Sequence, residues 1–239
     1  MLQPDWPAPP GVFGLMTLRE GGVSRPPWAS FNLGDHVGDD PAHVAANRAR
    51  LRRQLPAEPA WLKQIHGATA VAAGSGLVEA DAVFTRQAGR VCAVLTADCL
   101  PVLFCDRAGS VVAAAHAGWR GLANGVLEAT VAAMQVPPGE VLAWMGAAIG
   151  PQAFEVGDEV RQAFVARHPE TAAAFAPHPS GVPGKWLADI YRLARTRLNH
   201  AGVRDIYGGG RCTFNEVDSF YSYRRDGVTG RMASLIWLV

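Results

Sequence analysis

Two apolar segments separated by a short polar turn are the feature that most constrains the fold of this chain. The segments cover residues 100–105 and 110–115, and residues 106–109 lie between them with the sequence Asp-Arg-Ala-Gly. This pattern predicts a β-hairpin, because two apolar strands joined by a short polar loop pair as antiparallel neighbours. We interpret the rest of the chain as support for this hairpin.

Cys99 and His116 flank the hairpin, and the strand register decides whether they can meet. With a four-residue loop, Cys105 faces Ser110, and Cys99 lies opposite His116 at about 5 Å between β-carbons. With a five-residue loop, the register slips by one residue and the two side chains point to opposite faces. Pro101 cannot donate a ladder hydrogen bond and can break the strand, so the sequence leaves both registers open.

The remaining elements follow from apolar spacing, helix caps, and breaks at glycine and proline. Strands and helices alternate irregularly, without strict β-α-β order, and no linker or low-complexity tract divides the chain. We therefore predict the α+β class and a single domain over residues 1–239. The other predicted strands cover residues 12–18, 61–66, 79–85, 90–96, 141–149, 204–207 and 232–238, and the predicted helices cover residues 40–55, 121–134, 157–168 and 185–200.

Composition and charge exclude several classes of partner. The chain has a net charge of +1 and no run of lysine and arginine, so it offers no field for a nucleic-acid backbone. Its longest apolar segments are far shorter than the roughly 20 residues of a membrane-spanning helix. The first residues resemble no secretory signal. We expect a soluble, cytoplasmic protein that acts on small molecules.

The four cysteines, at positions 92, 99, 105 and 212, form no C-x-x-C pair and do not resemble a disulfide scaffold. We expect free thiols, with Cys92 and Cys105 acting as small buried hydrophobic residues. Cys99 differs because His116 and His66 each lie at a strand end followed by glycine. Thiolate and imidazole together suit zinc or copper, and three protein ligands leave a fourth position open, as in catalytic zinc sites.

Several short motifs, spread over nearly the whole chain, resemble those of the YfiH-type laccase-domain family. The resemblance implies a four-layer α/β/β/α arrangement of two mixed β-sheets flanked by helices. It also implies a metal, zinc as first choice and copper as second, bound by His66, Cys99 and His116. The motifs are Gly-Gly-Val-Ser at 21–24, Phe-Asn-Leu-Gly at 31–34, Asn-Arg at 47–48, Gln-Ile-His-Gly at 64–67, Thr-Ala-Asp-Cys at 96–99, Ala-His-Ala-Gly-Trp-Arg-Gly at 115–121, Ala-Ile-Gly-Pro at 148–151 and the segment 220–231.

The resemblance also implies an activity. Members of the family were first described as polyphenol oxidases, and are now assigned phosphorolysis of adenosine, inosine and methylthioadenosine together with adenosine deamination. A role in peptidoglycan precursor quality control is attributed to bacterial members. None of the seven histidines forms a His-x-His pair, which argues against a full laccase copper set. The signature of cytidine-type zinc deaminases is also missing.

For phosphorolysis, the residues offer candidates for each substrate group. Arginine presents a two-pronged donor to oxyanions, so Arg48, Arg120 and Arg224, with Arg225 as a further candidate, are expected to contact phosphate or ribose. Tyr221 is expected to stack on the base. Asn47 and Gln64, in matched motifs, are assigned to substrate binding. Asp98 is a candidate to move a proton during deamination or to orient a ligand.

Two alternatives use the same residues differently. In a metal-free hydrolase or amidase, Cys99 would be the nucleophile and His116 the base. In a non-enzymatic module, the same groups would only hold a nucleotide or a cell-wall precursor. A metal analysis separates the first alternative from the metal enzyme, and an assay for released purine base separates the second.

Overall fold

The structure is a computed structural model that describes residues 1–74 and 76–239. Its helices are α1 (Pro41–Arg52), α2 (Trp119–Asn124), α3 (Val126–Ala133), α4 (Asp158–Val165), α5 (Ile190–His200) and α6 (Tyr223–Asp226), with 3₁₀ turns at Pro138–Glu140 and Pro169–Ala174. Its strands are β1 (Val12–Met16), β2 (Pro59–Ala60), β3 (Leu62–Lys63), β4 (Ala70–Ala72), β5 (Val78–Glu79), β6 (Ala82–Thr85), β7 (Val91–Thr96), β8 (Leu100–Asp106), β9 (Val112–Ala117), β10 (Val141–Met145), β11 (Glu155–Gly157), β12 (Phe175–Pro177), β13 (Lys185–Ala188), β14 (Asp205–Gly208) and β15 (Met232–Leu238).

Two large sheets form the centre of the molecule. The strand order is β1-β15-β7-β2 in one and β14-β10-β8-β9-β6-β4 in the other. Both sheets are mixed, because β2 joins β7 in parallel, and β14 and β4 add parallel edges to an otherwise antiparallel sheet. The α+β class is confirmed. Two small sheets, β11-β13-β12 and β3-β5, were not expected from the sequence.

The two large sheets pack face to face, with helices on both outer sides. Side chains such as Leu103, Trp144 and Ile236 fill the space between the sheets. Leu51 of α1 packs on the outer face of the four-stranded sheet, and helices α2 to α5 cover the six-stranded sheet, with Leu127 among the packed residues. This arrangement confirms the four layers, and each layer buries apolar surface on the next.

Two predicted helices have different bounds in the structure. The segment 185–200 begins as strand β13, and Asp189 then caps α5 by accepting a hydrogen bond from the backbone N–H of Arg192. The segment 121–134 divides into α2 and α3 at Gly125, whose φ of 97° ends a helix. In both cases a local cap overrides the apolar spacing from which the longer helix was predicted.

Two predicted strands are shorter than expected. The segment 61–66 contains only the two-residue strand β3, because His66 adopts a φ of 59°, which no strand accommodates. The segment 141–149 ends as β10 at Met145, although the residues after it stay buried. The strands predicted around positions 79–85 and 90–96 end up in different sheets, as β6 and β7.

The central hairpin of β8 and β9 has a register that neither alternative described. Leu100 pairs with Ala117 and Cys105 with Val112, so the loop covers residues 107–110, one position later than expected. The Asp106 side chain explains the shift, because it accepts hydrogen bonds from the backbone N–H groups of Ser110 and Val111 and from the Ser110 hydroxyl. The loop still has four residues, so each side chain of the hairpin lies on the same face of the sheet as in the first alternative.

Asp106→Asn is expected to lower the free energy of unfolding by about 2 kcal/mol, because charge-assisted hydrogen bonds are replaced by neutral ones. Burial raises the pKa of Asp106, but the hydrogen bonds from Ser110 and Val111 outweigh burial and hold the pKa below its ordinary value. The stabilisation is therefore complete above the unfolded-state pKa of about 4 and is lost as the pH falls through the lower folded-state pKa. Urea denaturation at pH 7 and pH 3 measures both effects; an equal difference between the two proteins at both pH values would contradict the assignment.

Among the described residues, no helix combines the length and the apolar character that crossing a bilayer requires.

Candidate metal centre

The structure brings His66, Cys99 and His116 together at one end of the two large sheets. His66 lies in the loop after β3, Cys99 directly precedes β8, and His116 lies in β9. One possible ligand atom from each lies within 4.8 Å of the other two. The Cys99 Sγ atom is 4.0 Å from His66 Nε2, and the two imidazole rings meet edge to face with centroids 4.8 Å apart.

The hairpin register places Cys99 and His116 on the same face. Pro101 pairs with His116, and Cys99 precedes Pro101 by two residues, so the strand alternation points the thiol and the imidazole to the same side. This is the side on which β8 and β9 pack against the four-stranded sheet. Cys99 and His116 therefore lie on one face, as a shared metal requires, although His116 pairs with Pro101 and not, as predicted, with Cys99.

The buried carboxylate of Asp81 positions both histidines. Its Oδ1 atom accepts hydrogen bonds from His116 Nδ1 at 2.8 Å and from the backbone N–H of His66 at 2.9 Å. Its Oδ2 atom accepts from the backbone N–H groups of Ile65 and Gly67. Consecutive N–H groups that converge on a carboxylate form an anion nest, which stabilises the positive φ of His66. Because His116 donates through Nδ1, its Nε2 atom is left to bind a metal.

Asp98 adjoins the cluster, but its oxygens are engaged elsewhere. It adopts a φ of 85°. Its Oδ1 atom accepts from the Thr213 hydroxyl at 2.6 Å, and its Oδ2 atom accepts from the backbone N–H of Arg224 at 2.7 Å. Asp98 thus ties the Cys99 segment to two C-terminal loops. This geometry favours orientation of a ligand over proton transfer.

Two glycines of the segment 115–121 allow close approach at the centre. A Cβ atom added to Gly118 would lie 2.9 Å from Cys99 Sγ and 3.0 Å from His66 Cδ2. A Cβ atom added to Gly121 would lie 2.7 Å from the Gly67 carbonyl oxygen. The first turn of α2 can therefore pack against the cluster only because both positions lack a side chain.

Gly118→Ala is expected to weaken zinc binding about tenfold, because overpacking by one methyl group costs about 1–2 kcal/mol and here displaces two ligands. The φ of Gly118 is −62°, so alanine adds crowding without backbone strain. Gly139→Ala is the matched control, since a Cβ atom there meets nothing within 4 Å. Competition with a chromogenic chelator measures both affinities; equal zinc affinity in the two variants would contradict the close-approach argument.

The cysteine pKa values distinguish Cys99 from its buried counterparts. Burial raises the pKa of Cys105 to about 12, and it raises the pKa of Cys92 as well. Burial also acts on Cys99, but the charge of His116 and hydrogen bonds from His116 and His66 outweigh it and lower the Cys99 pKa to about 6. Thiolate is the form that binds metals. The Cys99 thiolate and the Asp81 carboxylate in turn raise the pKa of His116 against the effect of burial, so metal binding displaces a proton from this imidazole.

The donor set fits a transition metal. A thiolate and two imidazoles suit zinc or copper, and the closest donors need only small side-chain rotations to bind one ion. In such a site His66, Cys99 and His116 would hold the metal, Asp81 would orient His116, and one coordination position would stay open.

Two cavities meet at the cluster and share the residues His66, Ala97, Cys99 and Tyr223. The first has a volume of about 380 Å³, and basic and polar side chains line it, including Arg231, His36 and Gln64. The second has a volume of about 300 Å³, and its lining is more apolar, with Trp119, Phe154, Ile149 and Ile190 beside two arginines. The cluster is thus accessible from two chemically different sides.

The predicted substrate-binding residues fall into two groups. Gln64, Arg120 and Arg224 line the cavities at the cluster. The amide of Gln64 is held by both backbone groups of Leu95, whereas Arg120 stacks on Trp119. These three residues are placed where a substrate could reach them.

The other predicted substrate residues lie away from the cluster. Tyr221 is fully buried, and its hydroxyl donates to the Trp28 carbonyl oxygen, so it cannot stack on a bound base. Asn47 is also fully buried, and its amide connects the loops before α1. Arg48 stacks on Trp61 in a separate cavity, and the Arg225 guanidinium binds carbonyl oxygens of a neighbouring loop. Tyr221 and Asn47 are corrections to the sequence-based expectations, because helix and loop packing was not visible in the motifs, whereas the roles of Arg48 and Arg225 stay predictions.

The sequence analysis missed Asp81, Arg231, Tyr223 and His36. The only available signal for Asp81 was an acidic residue between two alanines in an apolar strand, a place where aspartate is rarely buried unless it is paired. Tyr223 lies two positions after Tyr221 and is exposed at the junction of the two cavities. Arg231 and Tyr223 both lie in the matched segment 220–231, which was the available signal for them, whereas His36 reaches the first cavity from outside the matched motifs.

Comparison with known families agrees with this geometry. The family described as "Multi-copper polyphenol oxidoreductase laccase" matches residues 14–239, which include all three residues of the cluster. The chain belongs to this family. The resemblance to YfiH-type proteins is thereby confirmed over nearly the full length of the sequence.

Relatives within the family cover the chain almost completely. A Pseudomonas aeruginosa protein named purine nucleoside phosphorylase is 58% identical over 99% of this chain and 98% of its own length. The Escherichia coli purine nucleoside phosphorylase YfiH is 54% identical over 100% of this chain and 99% of its own length. The crystal structure of Neisseria meningitidis protein NMB0706 matches with a TM-score of 0.95 and 55% identity over 99% of this chain and 98% of that one.

Proposed function

We propose that this chain is a metal-dependent purine nucleoside phosphorylase that acts on adenosine, inosine and methylthioadenosine. The names of the relatives support the phosphorylase activity. The observation that carries the proposal is the meeting of two cavities at one Cys/His/His cluster, one lined by the guanidinium of Arg231 and the other by the aromatic rings of Trp119 and Phe154. A phosphorolytic site needs one compartment for an anion and another for a purine, with the reacting anomeric carbon between them.

The second cavity suits the purine. Trp119, Phe154 and Tyr223 offer aromatic surface, and apolar side chains surround them. Stacking on such rings binds a flat heterocycle whatever hydrogen-bonding groups its edge carries. This supports a site that accepts both adenine and hypoxanthine bases, with Tyr223 in the stacking role first assigned to Tyr221.

The first cavity suits phosphate, with Arg231 as the main contact. Arg231 Nη1 donates to the carbonyl oxygens of Thr229 and Gly230, which fixes the guanidinium. No described residue accepts a hydrogen bond from its Nε or Nη2 atoms, so one edge of the fork remains available for an oxyanion. His36 lies in the same cavity. Of the two cavities at the cluster, Arg120 and Arg224 line the second, where we assign them to the ribose.

In the proposed reaction, phosphate attacks the anomeric carbon as the purine leaves. Arg231 neutralises and orients the phosphate, and the aromatic side chains hold the base in line. Zinc, or copper as second choice, would supply Lewis acidity at its open coordination position. Adenosine deamination is proposed as a second activity of the same centre. Asp98 would orient Cys99 in both reactions through its contacts with Thr213 and Arg224.

The direct test is incubation of the purified protein with inosine, with and without phosphate, followed by chromatography. Equal amounts of hypoxanthine and ribose 1-phosphate, formed only when phosphate is present, are expected. Removal of metal by a chelator should abolish turnover, and zinc should restore it. Full activity of the metal-free protein would favour the Cys99/His116 hydrolase, and binding without product would favour a ligand-binding module. A cytoplasmic location stays a prediction.

Arg231→Gln is expected to raise the KM for phosphate about thirtyfold, because a charge-assisted contact contributes roughly 2 kcal/mol. The KM for inosine should change less than threefold. Arg107→Gln is the matched control, since Arg107 lies in the loop between β8 and β9, at the end of the hairpin away from the cluster, and pairs with Asp205. Initial rates over a phosphate series separate the two variants; an unchanged phosphate KM in Arg231→Gln would show that phosphate binds elsewhere.

A further inference from the structure

A second group of metal-binding side chains lies on the surface, away from the centre described above. His168 precedes the 3₁₀ turn Pro169–Ala174, Glu170 lies within that turn, and His200 is the last residue of α5. One possible ligand atom from each lies within 4.8 Å of the other two. We propose that His168, Glu170 and His200 form a second binding site for a divalent transition metal such as zinc.

The geometry of this group is close to that of a zinc site. The carboxylate of Glu170 lies 3.7 Å from His168 Nδ1 and hydrogen-bonds to His200 Nε2. Donors around a tetrahedral zinc, each about 2 Å from the ion, lie roughly 3.3 Å apart. Glu170 and His200 are each about half exposed, so their side chains can rotate to this spacing. Two imidazoles and one carboxylate form a common zinc donor set, which leaves one position for water.

The backbone around the group is well anchored. The His168 backbone N–H donates to the Phe164 carbonyl oxygen, and the His168 carbonyl oxygen accepts from both the N–H and the hydroxyl of Thr171. His200 ends a helix, where the partial negative charge of the carbonyl groups favours a cation. The buried guanidinium of Arg197 is already paired with Glu128. The three ligands are therefore presented from fixed backbone positions.

This site would stabilise the fold rather than act on the nucleoside. Ile190, at the other end of α5, lines the second cavity of the metal centre. Ten residues of helix separate Ile190 from His200, which is roughly 15 Å along the axis. A metal at His200 cannot share ligands with Cys99 over such a distance. It would instead join the C-terminal end of α5 to the turn after α4.

Zinc stoichiometry tests the proposal without reference to activity. After equilibrium dialysis against zinc, the wild-type chain should hold two ions, His200→Asn one, Cys99→Ser one, and the double variant none. His178→Asn is the control, because His178 faces a single carboxylate, that of Glu155, and should leave two ions. Equal zinc content in the wild-type chain and in His200→Asn would overturn the second site. A single wild-type ion that Cys99→Ser keeps and His200→Asn loses would instead support the second site and overturn the first.

A thermal measurement separates a specific site from loose surface binding. In the Cys99→Ser protein, a hundredfold excess of zinc over the dissociation constant should raise the melting temperature by about 5–10 °C. The shift should disappear when Glu170→Gln is added. A shift of equal size in both proteins would show that zinc binds elsewhere. Circular dichroism of the metal-free variants confirms that each is folded before zinc is added.

Discussion

The Cys99→Ala protein is expected to lose its bound metal and about a thousandfold in kcat/KM for phosphorolysis of inosine. The thiolate is the only anionic ligand of the three, and without it two imidazoles hold an ion far less tightly. A Lewis acid contributes several kcal/mol to the transition state, and about 4 kcal/mol corresponds to a thousandfold in rate. Elemental analysis and single-substrate kinetics on the same preparation measure both losses.

Cys105→Ala is the matched control for this substitution. Cys105 lies on β8, follows Cys99 by six residues and is buried between the sheets, about 20 Å farther along the strand. Loss of its sulfur should cost about 1–2 kcal/mol of stability and leave the metal content and kcat/KM unchanged. If Cys99→Ala turned over inosine within threefold of the wild-type rate, the assignment of the centre would be wrong.

Asp81→Asn is expected to weaken zinc binding between ten- and a hundredfold and to lower the free energy of unfolding by about 3 kcal/mol. An asparagine cannot accept from His116 and from three backbone N–H groups with the strength of a carboxylate, and its amide hydrogens face these donors. Carboxylates that orient a metal-binding histidine usually contribute one to two orders of magnitude to metal affinity. Urea denaturation and chelator competition measure the two effects separately.

Asp106→Asn serves as the control for Asp81→Asn. Both carboxylates are buried and both accept hydrogen bonds from backbone N–H groups, but Asp106 lies at the end of β8 that is farther from Cys99. Asp106→Asn should therefore lose stability with unchanged zinc affinity. Equal zinc affinity in both variants would show that Asp81 supports only the fold and not metal binding, even if Asp81→Asn lowers the free energy of unfolding.

Sequence patterns predicted those parts of the fold that local chemistry determines. Strand β15 has the predicted bounds, and α1 begins at Pro41 with Asp40 as its cap. The hairpin register was missed because the side chain of Asp106 binds the loop backbone, which apolar alternation does not reveal. The helix predicted from residue 185 starts later, at Ile190, because residues 185–188 pair with β11 and β12 as β13 before Asp189 caps the helix.

The sequence likewise predicted some residues of the candidate centre and not others. The three candidate metal ligands lie in short motifs, and the structure brings those motifs together. Arg231 and Tyr223 lie in the matched segment 220–231, but the motif does not reveal that their side chains line the cavities, because that placement results from the packing of the C-terminal part of the chain. Asn47 and Arg48 lie in a matched motif, yet Asn47 is buried in loop packing and Arg48 lines a separate cavity, where it pairs with Asp35. A motif identifies residues that matter, whereas only the packed chain separates those that touch a ligand from those that hold a loop.

The left-handed backbone of His66 implies a trade between stability and chemistry at this position. A non-glycine residue in this region is strained by about 1 kcal/mol, and glycine would relieve that strain. The His66→Gly protein should therefore fold as well as the wild type, or better, in the absence of metal, while it lacks an imidazole at the cluster. The chain is thus less stable than it could be at a loop position from which an imidazole reaches both cavities.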